Sequence, residues 1–340
     1  MRKIYILAAS ALMTFGLASC DIDNVENFGE LSSGNFPASD VDGEATLAGV
    51  YQNLNQTHAT PQQSFLYNAC LASDDQLGGG GDNDKLMQAL DLILNNGADM
   101  TNQFYVDRYA GINRANMLIS ALPNTSMSEE IKAQYLGEAL FLRAFYYYEL
   151  SSMYGNVPLR TAAGGETMQQ GNIEDIWKQI LQDLRDAIEM MPAKKSTSAG
   201  HVDKYTAEAM LGRAWLFYTG FFCNGSSIAD LTSTNYSPLT SVELLDGTTL
   251  TKQDVIAYID DCVNNSGYSL VPDFRNLWAY TNRLTVEDYD YTKGQGLKWV
   301  EDDSADNPES LFAIKFNKFA SWSTTIGYAN GIALHFGVRG

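Results

Sequence analysis

The sequence predicts a mostly α-helical protein in which helices stack as tetratricopeptide-like pairs and give way, toward the carboxyl end, to an irregular, loop-rich region. Three observations carry this. Apolar residues recur at three and four positions through several long windows. Short links join consecutive windows, which forces neighbouring helices to run antiparallel. Beyond Gly267 the periodicity fades.

The longest window is 128–159. Ile131, Tyr135, Leu136, Ala139, Leu142, Ala144, Tyr146, Leu150 and Met153 follow helical spacing, and the residues between them are also largely apolar, so this helix is expected to be enclosed on more than one side. Ser126 with Glu129 fits a capping box, Glu130 adds negative charge to the first turn, and Gly155 and Pro158 stop the helix after Tyr154.

The other windows fall into place around it. A first helix is expected from Asp42 to about Gln56, burying Leu47, Val50, Tyr51 and Leu54. From Asp99 onward Tyr105, Tyr109, Ile112, Asn116, Ile119 and Leu122 mark one face of a helix closed by Pro123. Asn172 caps a helix that turns Ile173, Ile176, Trp177, Ile180, Leu181, Leu184, Ile188 and Met191 inward and stops at Pro192. Asp203 opens the next, Tyr205–Phe222, where Ala207, Ala209, Gly212 and Ala214 let a partner helix approach closely. The pairs 99–154 and 172–222 thus read as successive repeats, and a helix over Thr251–Ser266 begins another. Trp177, Trp215, Trp278 and the aromatics from Phe145 to Tyr148 sit in apolar patterns and are expected in the core. Cys262 shares a helical face with Val255, Ile259 and Val263, and residues 309–316 alternate like a short strand.

Charge narrows the partners. The chain has 41 acidic against 22 basic residues, a net charge of −19. Such a surface repels nucleic acid and anionic lipid and suits neutral or cationic ligands. Arg2 and Lys3, then an apolar stretch from Ile4 to Leu17, then Leu17-Ala-Ser-Cys20, form a signal peptide over 1–19 that resembles a bacterial lipoprotein leader. On that reading Cys20 is acylated and tethers the protein without a membrane-spanning helix. Residues 20–40 are expected to be an acidic tether, with Asp21, Asp23 and Glu26 directly after the cysteine, and 41–340 the folded domain. Cys70, Cys223 and Cys262 describe neither a disulfide framework nor a zinc site, although a Cys70–Cys223 bond stays open.

No catalytic pattern is present. His58, His201 and His335 are scattered, and neither His-Glu-x-x-His nor Gly-x-Ser-x-Gly occurs. The glycines of Ser73–Asp84 lack the Gly-Lys-Ser/Thr of a phosphate loop, and their acidic flanks oppose phosphate. Glu301, Asp302, Asp303 and Asp306 offer hard oxygen ligands for calcium, but their spacing does not match an EF-hand. The chain is therefore read as no enzyme, with no cofactor and no metal, a glycoside hydrolase being the catalytic alternative.

Glu138-Ala-Leu-Phe-Leu-Arg-Ala-Phe-Tyr-Tyr-Tyr-Glu-Leu150, followed by Met153-Tyr-Gly-Asn-Val-Pro-Leu159, closely resembles the signature helix of the SusD/RagB lipoproteins of Bacteroidetes. Tyr268–Trp278 is similar to the segment that follows the third helix in that family. The resemblance implies a surface protein of the outer membrane that captures glycan and acts as a lid on a SusC-like TonB-dependent transporter. The alternatives are peptide capture, as in RagB-like relatives, and a surface adhesion scaffold. It also implies that family members extend beyond Gly340. Asp74 and Asp75 lie in an Asp-rich loop that resembles one near the family's glycan site. Sugars stack their C–H faces on aromatic rings, so Tyr289, Tyr291, Trp299 and Trp322, in irregular polar surroundings, complete the expected ligand-binding residues.

Overall fold

The computed structural model describes residues 36–37, 39–59, 64–73, 101–164, 169–196, 200–224, 232, 236–302, 306–316 and 331. Residues Met1–Phe36 and Pro37–Gly340 form separate units, and the architecture below is that of the second. The signal peptide and most of the tether, with Cys20, lie outside the described residues.

The helices are α1 (Asp40–Ala59), α2 (Phe65–Ala72), α3 (Asn102–Ala121), α4 (Glu129–Tyr154), α5 (Ile173–Met190), α6 (Lys204–Trp215) and α7 (Lys252–Asn265). The mostly helical fold and its paired plan agree with the sequence. Helix α4 is the hub: Gly137 to Ala144 and Tyr146 to Ser151 are buried without interruption. Its pairing with α3 is antiparallel, since Arg143 meets Asn116, Tyr147 packs edge-on against Tyr109, and Tyr154 near its end donates to the Thr101 carbonyl before α3 begins. On the opposite flank α5 also runs antiparallel to it. Arg143 meets Asp183 there, Tyr148 meets Trp177, and Gly137 lies so close to Met191 that a Cβ would stand 2.5 Å from Met191 Cγ.

Polar side chains buried with α4 are paired. Arg143 grips Asp183 with two hydrogen bonds of 2.8 and 2.6 Å and reaches Asn116 Oδ1 at 2.8 Å. Arg108 of α3 donates to Glu149 at 2.6 Å and to Asn53 of α1, with Phe104 and Tyr146 rings about its guanidinium. Removing two charges from water costs several kcal/mol per ion, so such pairs act mainly to fix which helix faces meet.

The structure corrects several boundaries. Ser128, not Ser126, caps α4, its hydroxyl accepting from the Ile131 amide. Asn172 and Asp203 cap α5 and α6 as expected. Helix α6 does not continue regularly to Phe222: it widens into a π-helix over Leu216–Phe221 and tightens into a 3-10 turn over Phe222–Asn224. Gly212 brings α7 close, with Ile259 Cδ1 2.7 Å from where a Cβ would be. Val255 and Cys262 of α7 are buried, whereas Val263 is exposed and Ile259 borders the surface, because α6 packs against one side of that helix. A hairpin that the sequence reading left out, β1 (Ser241–Glu243) with β2 (Thr249–Thr251), turns through Asp246-Gly247 and feeds the Thr251–Asp254 capping box of α7. Cys70, Cys223 and Cys262 are all free thiols.

Residues 309–316 form no strand. Leu311 and Lys315 instead give their carbonyls to Thr206 and Asn55 side chains, and Phe312 packs edge-on against Phe141 and Phe145 of α4. The segment is an extended strap across the scaffold.

Candidate functional site

After α7 the residues described up to 302 form no long element to satisfy their backbone, so short-range side-chain bonds do that work. Asp273 caps a 3-10 turn over Phe274–Leu277 by accepting from the Arg275 amide. The Arg275 guanidinium returns to the same carboxylate at 3.0 and 2.7 Å and lowers its pKa from the ordinary carboxylate value. Arg275 also donates to the Gln295 side-chain oxygen, and Gln295 Nε2 donates to the Tyr291 carbonyl at 2.7 Å. Buried Thr292 ties the same turn together through the Val286 and Tyr289 carbonyls.

These bonds present a tyrosine cluster. Tyr289 and Tyr291 stack with ring centroids 5.3 Å apart and planes within 18°, and half-buried Tyr280 meets Tyr291 edge-on at 5.8 Å. Tyr289 remains 39% exposed and Tyr291 61%. Rings usually bury such area, so a stacked pair left facing solvent is a ready platform for the apolar face of a ligand. Asp288 and Asp290 flank Tyr289 on the surface and offer acceptors for hydroxyl groups.

Trp299 lies in the same loop region. It is half-buried, its amide donates to the Thr281 carbonyl at 3.1 Å, and Val300 next to it donates to Asn276, so this stretch fastens the loop. Asp74, Asp75 and Trp322 lie outside the described residues, and the structure therefore brings together Tyr289 and Tyr291 of the expected set.

Trp278 was expected in the core and is not there. It is 51% exposed and meets exposed Phe274 edge-on at 5.9 Å. The signal was available: Trp278 follows the end of helical periodicity and sits beside Arg275 and Asn276, where an apolar residue has no helical stripe to join. Trp177 and Trp215 are buried as expected. Among the described residues no three His, Cys, Asp or Glu side chains gather to hold a metal ion, Asp303 being outside them.

Similarity to known proteins bears on the helical scaffold that carries this region. The chain resembles "SusD-like protein P38" of Formosa agariphila, at 24% identity over 71% of this chain and 48% of that protein. It thus spans about half the length of this relative. A solved laminarin-binding SusD-like protein superposes with a TM-score of 0.56 at 24% identity, over 72% of this chain and 49% of the other. Surface glycan-binding protein A of Bacteroides thetaiotaomicron, solved with laminarihexaose, gives 0.53 at 16% identity, over 71% and 46%. At these identities the superpositions establish the fold. Residues 28–218, more than half of the chain and the whole of its helical hub, match the SusD-like family model described as starch-binding and associating with the outer membrane, and the chain belongs to that family.

Proposed function

We propose that this protein is a non-catalytic glycan-binding protein of the outer membrane surface, which retains its ligand on the Tyr289–Tyr291 platform. The exposed tyrosine stack carries the proposal, because sugars offer flat C–H faces to such rings and hydroxyls to neighbouring carboxylates. The laminarin and laminarihexaose named for two structural relatives make a neutral glucan the first ligand to test. A net charge of −19 supports the same preference for uncharged glycans.

Asp74 and Asp75, from family resemblance, and Trp322, from its irregular polar surroundings in the sequence, are proposed for the same site, and Cys20 as the acylated anchor. The lipoprotein-like leader that ends at Cys20 is what supports a lipid anchor; among the described residues no helix is long and apolar enough to cross a membrane. Delivery goes to a SusC-like TonB-dependent transporter, through a lid motion that releases the captured glycan. Calorimetric titration of the mature chain with laminarin, starch and a peptide digest tests this reading. Saturable heat with a glucan supports it; heat with peptides alone replaces glycan by peptide capture, and the absence of any heat overturns nutrient capture. Co-purification with a barrel protein from detergent extracts tests the partner separately.

A further inference from the structure

Away from the tyrosine platform, two cavities adjoin where the link before α6 meets the 306–316 strap. The larger, about 260 Å3, lies between α1 and residues 313–315; Tyr51, Gln52, Asn55 and His201 give it polar groups beside Ala48 and Ile314. The smaller, about 110 Å3, shares Gly200, His201, Ala313 and Lys315 with it and is further lined by Lys195 and Asp306. The charge here inverts that of the whole protein. Among the described residues two lysines, Lys195 and Lys315, and His201 line the two cavities against a single acid, Asp306, in a chain with 41 acids against 22 lysines and arginines.

His201 is held in one orientation. Its Nδ1 donates at 2.8 Å to Glu138 Oε2, and Glu138 is 1% exposed on α4, where it also accepts from the Tyr51 hydroxyl and from Gln134. A carboxylate only accepts, so the Nδ1 proton is committed and Nε2 is the ring nitrogen left for the cleft. The side chain is 26% exposed there, with the Tyr51 ring 4.9 Å away. Gly200, at φ +87°, lets the strap lie against this link: a Cβ would stand 3.1 Å from Lys315 Cγ. Asn55 fixes the strap from the other side through the Lys315 carbonyl.

We propose that the cleft between His201 and Lys315 binds the carboxylate of a small acidic molecule, either a sugar acid or the carboxyl terminus of a short peptide. The groups facing His201 favour its cationic form. Glu138 on α4 raises its pKa above the ordinary imidazole value, Glu44 on α1 adds to this, and burial opposes it. The Nε2–H of the imidazolium then makes a charge-assisted hydrogen bond to the ligand, with the Lys315 ammonium, loosely paired to Asp306 at 3.5 Å, as the second cation. The volume fits one sugar ring or two small residues.

The test is calorimetry on the full chain with D-galacturonate and its neutral counterpart galactose, and with glycylglycine and its amide, at pH 6 and pH 8. The proposal expects one acid to saturate at pH 6, to bind about tenfold more weakly at pH 8, and to exceed its neutral counterpart by at least about tenfold. Which acid binds distinguishes the two sources. His201→Gln and the exposed-site variant Lys315→Gln each lower that affinity about tenfold, the latter with unchanged melting temperature, whereas Tyr291→Ala leaves it unchanged. Failure of both acids to bind at pH 6, equal binding of the neutral counterparts, or wild-type affinity in both variants overturns it.

Discussion

Helix α4 and the 267–302 region use aromatic and polar residues in opposite ways. Along α4 the rings of Tyr146 and Tyr147 are buried with their hydroxyls bonded to backbone carbonyls, and the charges of Arg143 and Glu149 are matched across helices. In 267–302 the rings of Phe274, Trp278, Tyr289 and Tyr291 face solvent, while the polar side chains close local turns. One region spends its chemistry on holding helices in register; the other keeps rings available. Stability and ligand binding are therefore expected to respond to different substitutions.

The sharpest way to break that division is Arg143→Met. It strands Asp183 in the hub, and losing one partner of a buried pair costs about 3–5 kcal/mol, read as a shifted denaturation midpoint. A scaffold indifferent to it would mean that the helices are held by apolar packing alone.

Next is a pH effect. Glu208 of α6 is fully buried, with Lys204 Nζ at 3.4 Å, and burial pushes its carboxyl up to about 7. Between its ordinary value and about 7 the folded state keeps a proton that the unfolded chain has released. Stability therefore falls as pH rises through that window, by up to roughly 3 kcal/mol, and Glu208→Gln removes the slope. Stability measured from pH 4.5 to 8 checks this; a variant with the same slope as the wild type contradicts it.

Gly137→Val comes third. Its side chain would enter the space held by Met191 and the Ala187 carbonyl and drive α4 from α5, costing about 1–3 kcal/mol. Tyr291→Ala should change stability least, within about 0.5 kcal/mol, because the ring already faces water.

The same division explains what the sequence made legible. Helix pairs could be read because burial on one face imposes a period, and Asn172 and Asp203 announced their helices through side-chain oxygens placed ahead of an apolar stripe. The π-widening after Trp215 leaves no mark in the period, and the three-residue strands of the hairpin are too short to show alternation, although Asp246-Gly247 signals the turn. Residues 309–316 alternate properly yet meet side-chain donors rather than a strand. At the candidate site, Tyr289 and Tyr291 stood out through polar neighbours, but their mutual stacking depends on the Arg275–Gln295 tie, whose members lie 20 residues apart. Trp278 was misplaced because an aromatic-rich segment looks like core, although it follows the end of the helical stripe.

The proposed tyrosine platform is expected to bind glycan independently of the scaffold's stability. Its most direct test is laminarihexaose titration of the wild type and of the double variant Tyr289→Ala, Tyr291→Ala, with melting temperatures recorded in parallel. Saturable wild-type binding that the variant loses by at least about tenfold at an unchanged melting temperature is the predicted result. Equal affinity in the two proteins would contradict the assignment of the platform.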